Sequence, residues 1–218
     1  MGHAPENPHF ERSLVYAGAP VGDSPATVVL VHGRTLDPEY MIEHVSDRLA
    51  RPDLSYVLPS AEGNTWYPLS FLAPREENEP RLGFALERLA DVHLTLNEAG
   101  RSNNEIVWMG FSQGACLSCE YVARAGVKMR ALVAFTGGLI GPDAVTLSRP
   151  VNVEGMPVVL TVSDIDPHVP VQRVNETADI FRAAGSDVEV VISHATQHMV
   201  TDDAIELGQR LLERIAPR

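Results

Sequence analysis

The chain holds only two cysteines, Cys116 and Cys119, among 218 residues. That excludes a disulfide framework, and a reducing cytoplasm is the expected location. Lysine is almost absent, since Lys128 is the only one. Acidic residues outnumber Lys and Arg by 29 to 17, for a formal net charge of −12. That balance argues against nucleic acid and against anionic membrane surfaces, which both favour basic patches. No apolar run approaches the roughly 20 residues of a bilayer span, so no membrane insertion is expected. Residues 1–20 are polar and proline-containing, with no basic stretch leading into an apolar one. They do not read as a secretory signal but as a less ordered N-terminal extension. There is no internal repeat or low-complexity tract, and the length suits one domain over 1–218.

What is present is a series of short β-branched runs: 14–16, 27–31, 56–58, 106–109, 131–135, 158–162 and 188–192. Most are continuous rather than alternating, as expected of strands covered on both faces. Helical patterns fall between them, at 38–50, 82–99, 115–123, 170–184 and 202–215. Leu82, Leu86, Leu89, Val92 and Leu96 share one face of the second. Val171, Val174, Ala178 and Phe181 share one face of the fourth, which stops at Gly185. Thr201 is placed to cap the last. Alternation of this kind predicts an α/β fold with a mostly parallel sheet and helices on both faces. The stretches 59–80 and 137–155 remain irregular; their apolar content suits pocket walls or small lids.

The run Ile106–Met109 ends in Gly110-Phe111-Ser112-Gln113-Gly114. A G-x-S-x-G sequence between a strand and a helix is the signature of a sharp elbow that exposes the serine hydroxyl. Such a serine needs a histidine to take its proton and a carboxylate to orient that histidine. On an α/β-hydrolase sheet these follow in the order acid, then histidine, each after a later strand. His198, after the last strand run, fits the base. His168 is its main competitor but precedes that strand. His3 and His9 fall in the expected tail, His44 and His93 in helical patterns, and His194 at a strand end. Two carboxylates follow Val158–Val162. Asp166, in a loop stiffened by Pro167, is preferred to Asp164, which reads as a turn-former. The amide of Gln113 and that of Arg34, in the His32-Gly33-Arg34-Thr35 loop, are the expected oxyanion donors. His32 reads as a structural hydrogen-bonder of that loop. The Arg34 side chain could meet an anionic substrate or simply pair elsewhere. Cys116 and Cys119 lie on the helix after the elbow, and no further zinc ligands accompany them. They read as buried packing thiols, so neither metal nor cofactor is expected.

Taken together, His32-Gly33-Arg34, the G-F-S-Q-G pentapeptide, Asp166-Pro167-His168-Val169-Pro170 and His198 resemble the phospholipase/carboxylesterase family of α/β-hydrolases. The resemblance runs from about Ala26 to the C-terminal helix. It implies a fold without a large cap domain and a cofactor-free serine hydrolase. Ser112 would be the nucleophile, Asp166 the acid and His198 the base. The substrates implied are carboxylic esters of short to medium acyl or aromatic groups. Thioesters of acylated proteins or coenzyme A are the alternative, and a non-catalytic binding protein of the same fold is a third. The resemblance also implies that Trp66 and Leu139, the latter within Thr136-Gly137-Gly138-Leu139, line the substrate pocket. Thr35 stands where the family usually has glycine, and Thr136 where it has serine. Ser163-Asp164-Ile165 replaces the usual glycine before the acid. The apolar stretch Trp66–Leu72 is expected to form a pocket wall or a homodimer contact.

Overall fold

The computed structural model describes residues 6–217. His3, read as a tail residue, lies outside them. Seven strands form one sheet: β1 (Val15–Gly18), β2 (Thr27–Val31), β3 (Ser55–Leu58), β4 (Ile106–Phe111), β5 (Ala131–Phe135), β6 (Pro157–Ser163) and β7 (Asp187–Ser193). Their order is β1-β3-β2-β4-β5-β6-β7. All neighbouring pairs are parallel except β1 with β3.

The continuous apolar runs have a simple physical origin. Successive side chains of a strand point to opposite faces, and both faces of this sheet are covered. Val29 and Val31 of β2 join the core under the helices α3 (Arg81–Glu98), α4 (Gln113–Arg124) and α5 (Val171–Ala183). Val28 and Leu30 join the opposite core, beneath α1 (Pro38–Met41), α2 (Asp47–Leu49) and α6 (Asp202–Ile215). A two-sided core needs apolar residues at every position, so β2 is buried throughout. The architecture is the α/β-hydrolase one, with no large cap among the described residues.

Three local features depart from the sequence reading. The pattern over 38–50 is one helical run, but a π turn at Ile42–Ser46 interrupts it between α1 and α2. Residues 8–11, inside the stretch read as an extension, form a 3-10 turn (Pro8–Glu11), while the strand run expected at 14–16 is the edge strand β1. His9 in that turn is fully buried. The stretch 137–155 is not a wall of the main cleft. It is tied down on the α4–α5 side by two buried charges. Arg173 donates to the carbonyls of Leu139, Gly141 and Pro142. Glu120 accepts from Arg124, Ser148 and the amide of Ile140, and pairs with Arg75. Each buried charge has its partners in place, as burial of ions demands.

Candidate active site

Ser112 is the hinge between β4 and α4, with φ 55° and ψ −119°. A non-glycine residue at positive φ is strained, and here the neighbouring backbone enforces it. The two flanking glycines explain why the turn can be so tight. A Cβ on Gly110 would come within 2.4 Å of the Gly114 carbonyl oxygen, and one on Gly114 within 2.2 Å of that of Val31. No larger side chain fits either position. The Ser112 amide is held by the carbonyl of Phe135 in the adjacent strand, and its carbonyl accepts from Cys116 N.

The hydroxyl of Ser112 donates to Nε2 of His198 at 2.7 Å. On the other side of the ring, Nδ1 donates to Asp166 Oδ2 at 2.8 Å. That network sets the tautomer: the neutral ring carries its proton on Nδ1. The Asp166 side chain is only 1% exposed. Its other oxygen accepts the amides of His168 and Val169, both at 2.8 Å. The D-P-H-V-P phrase is thus a local cage that holds one carboxylate oxygen so the other can face His198. His168 does not reach Ser112; its ring stands edge-on to that of His198, with centroids 5.0 Å apart. Asp164 makes a separate pair with His194, whose side chain is 92% exposed. The sequence reading made His194 a structural strand-end residue and Asp164 a turn-former. Asp164 does lie in the turn after β6, and its side chain also bonds to His194 at the surface.

Gln113 is the first residue of α4, so its amide has no acceptor within the helix. Its side chain, which the sequence reading left without a role, clamps the loop after β3. The Oε1 atom accepts from the Trp66 amide and Nε2 donates to the Tyr67 carbonyl. The loop after β2 closes on Ser112, and a Cβ on Gly33 would come within 3.2 Å of the serine Cβ. Thr35 takes φ 63°, the left-handed conformation a glycine adopts freely. Its amide donates to the Asn64 carbonyl at 2.7 Å, which secures that bend.

A cleft of about 600 Å³ opens above the serine. Its walls come from Thr35, Tyr40, the segment 67–71, Cys116, His168 and Val169. Trp66 and Leu139 do not line it. Leu139 is fully buried in the core under α5, its amide bonded to Thr177. Trp66 is fully buried behind the wall, its ring between His9 and His32 at 5.3 and 4.9 Å. The indole Nε1 donates to the carbonyl of His32 at 2.9 Å. Residues 67–71 thus form a cleft wall, and Leu69 is the one strongly exposed large apolar side chain of 66–72.

The Arg34 guanidinium donates to the carbonyls of Tyr67, Pro68 and Leu69 at 2.5–3.0 Å. It staples the wall instead of facing a substrate. Arg34→Ala should lower the melting temperature by a few degrees and raise KM several-fold, while its amide stays available. Unchanged thermal melting and KM would show that the staple is idle.

His32 fulfils the structural role expected of it. Its Nδ1 donates to the Gly33 carbonyl and its Nε2 accepts the Ala61 amide. Burial pushes its pKa below the usual value. His9 accepts the amide of Glu62 on Nδ1, and its Nε2 finds no partner among the described residues. Burial, reinforced by the nearby Arg81, lowers its pKa from 6.5 to about 4. Between those values the unfolded chain binds a proton that the folded chain refuses. Stability therefore falls as pH drops from 6.5 towards 4. Urea unfolding of wild type and His9→Phe at pH 7 and pH 4.5 tests this. The variant should lose less between the two, and an equal loss would exclude His9 as a source.

Residues 19–213 match the phospholipase/carboxylesterase family. The chain belongs to that family. A phospholipase/carboxylesterase from Dyadobacter fermentans DSM 18053 is 33% identical, over 92% of this chain and 96% of that one, with a TM-score of 0.86. The esterase PE8, 24% identical over 94% and 99%, has a TM-score of 0.74. A Bacillus cereus carboxylesterase, 16% identical over 97% and 100%, gives 0.76. The last two share the fold. No protein with a curated description matches the chain. Membership supports ester hydrolysis as the general activity. No helix among the described residues is long and apolar enough to cross a membrane, and no group of three potential metal ligands occurs among them.

Proposed function

We propose that this protein is a serine carboxylesterase that acts on small esters through an acyl-enzyme. The observation that carries the reading is the unbroken hydrogen-bond chain from Ser112 through His198 to the buried Asp166. Ser112 Oγ attacks the ester carbonyl as its proton passes to His198 Nε2. The ring becomes an imidazolium, stabilised by the Asp166 carboxylate. The amides of Gln113 and Arg34 receive the oxyanion, which forms at the positive end of α4. The imidazolium then protonates the departing alcohol. The same nitrogen next takes a proton from water as it attacks the acyl carbonyl, then returns it to Ser112 Oγ as the Oγ–acyl bond breaks and the acid leaves.

A thioester would pass through the same acyl-enzyme, but coenzyme A fits this surface poorly. Its phosphates would meet a chain of net charge −12, and the arginine at the cleft is already engaged by three carbonyls. The buried thiols Cys116 and Cys119 fit a reducing cytoplasm.

Rapid mixing with p-nitrophenyl butyrate is the test. A burst of one phenolate per active site, with a butyryl mass on the Ser112 peptide, is the expected result. Hydrolysis without any acylated Ser112 would refute the mechanism.

A further inference from the structure

The two edges of the sheet are built differently. At one end stands β1, four residues long. At the other stands β7, seven residues long and paired one to one with β6 throughout. A long, flat edge offers unpaired backbone groups to any other strand, and proteins blunt such edges with lysine, proline, a bulge or a short strand. The run Asp187-Val188-Glu189-Val190-Val191-Ile192-Ser193 has none of these. Its Ile192 is 44% exposed. Two more of the exposed large apolar side chains, Ile165 and Met199, lie in the loops that leave β6 and β7.

The ladder fixes which backbone groups face outward. The Asp187 amide donates to the Met156 carbonyl, and the Ser193 carbonyl accepts from the Asp164 amide. Alternate residues of a parallel strand turn to the same neighbour, so 187, 189, 191 and 193 bond towards β6. Val188, Val190 and Ile192 therefore turn their amides and carbonyls away from the sheet. Among the described residues only the Arg182 guanidinium reaches this row, at the Val188 carbonyl. A carbonyl has a second lone pair, so that contact leaves room for another donor.

We propose that β7 is the interface of a homodimer, pairing antiparallel with β7 of a second copy about a twofold axis through Val190. This register overlaps every residue of both strands. Val190 meets its own copy, and the two exchange amide-to-carbonyl bonds; Val188 lies opposite Ile192 on either side of the axis. The side chains agree with the backbone. Val188, Val190 and Ile192 share one face, where Val188 and Val190 already pack beside the core under α3, α4 and α5. Across the axis that face makes only β-branched apolar pairs, which favour cross-strand association. On the other face Glu189 lies opposite Val191, and Asp187 opposite Ser193. No carboxylate faces a carboxylate, although the strand carries two. Moving the axis to Glu189 would set that residue against its own copy, which is repulsive. Such self-complementarity fits a second copy better than an unrelated extended peptide. Pairing β7 with β1 of another copy would instead grow an open chain of molecules.

Sedimentation velocity of the full chain in physiological salt, over a dilution series, is the test. Wild type should sediment as a dimer at the concentrated end. Val190→Pro removes only an outward amide, which an edge strand tolerates. It should sediment as a monomer with a wild-type circular dichroism spectrum. Two further variants read the register even if the proline variant does not fold. Val191→Glu sets a carboxylate opposite Glu189 twice in the dimer and should raise the dissociation constant about tenfold. Val191→Lys sets an opposite charge there and should lower it. Equal dissociation constants in these two variants would overturn the proposal, as would a monomeric wild type. A dimer that survives in folded Val190→Pro and is lost in Leu69→Asp would place the contact on the cleft wall and overturn it as well.

Discussion

Ser112→Ala should lower kcat for p-nitrophenyl butyrate by about a million-fold. The size follows from how the three side chains are coupled. The serine hydroxyl has one acceptor, His198 Nε2, and the ring is oriented by one carboxylate, Asp166. Groups arranged in series act as a unit, so removing any essential one removes nearly the whole nucleophilic pathway. His198→Ala should therefore cost about as much as Ser112→Ala, and the double variant little more than either. Single-turnover kinetics on the three proteins measures this directly. What survives in all three is the slower hydrolysis promoted by binding and by the oxyanion donors, which these substitutions leave intact. A double variant many times weaker than both singles would show two independent contributions instead of a relay. The fold should tolerate the serine change, because the strain at φ 55° belongs to the backbone turn and not to the hydroxyl.

Much of this arrangement was legible because its determinants are local. The strands read cleanly since a sheet covered on both faces writes an apolar residue at every position, as in Val28 to Val31. The elbow read cleanly because steric exclusion at Gly110 and Gly114 leaves glycine as the only residue that fits. Asp166 could be preferred because its cage, the amides of His168 and Val169, lies within three residues of it. What escaped is assembled from distant segments. The His9–Trp66–His32 stack joins the N-terminal turn, the loop after β3 and the loop after β2. No spacing in the chain encodes those encounters, so His9 read as a tail residue and Trp66 as a cleft wall. The side chains of Arg34 and Gln113 hid in the same way, since both bond to backbone carbonyls or amides 33 to 47 residues away. Carbonyl acceptors leave no trace in residue type. The π turn at Ile42–Ser46 was likewise invisible, as its apolar residues keep to one face on either side of it.

Asp166→Asn should lower kcat by about 10⁴-fold, while Asp164→Asn should change it by less than about twofold. The two carboxylates stand two residues apart and each is bonded to a histidine, so chemistry alone does not separate them. Surroundings do. The Asp166 side chain is 1% exposed and that of Asp164 is 35% exposed, with His194 at 92%. A pair open to water adds little to stability and has no path to Ser112. In Asp166→Asn the cage has a more specific consequence. The amides of His168 and Val169 hold one oxygen, so the asparagine oxygen would occupy that place and its NH₂ would turn towards His198. A donor facing Nδ1 forces the ring proton onto Nε2, the atom that must accept the serine proton. The imidazole stays in position in the wrong tautomer. Folding and the binding of ground-state ester should therefore be nearly preserved, with KM within a few-fold of wild type. Raising the pH should restore part of the rate, because the Nε2 proton can then be lost to hydroxide. Steady-state kinetics of both variants from pH 6 to pH 10, with melting curves alongside, carries the comparison. A loss in Asp164→Asn as large as that in Asp166→Asn would reassign the acid.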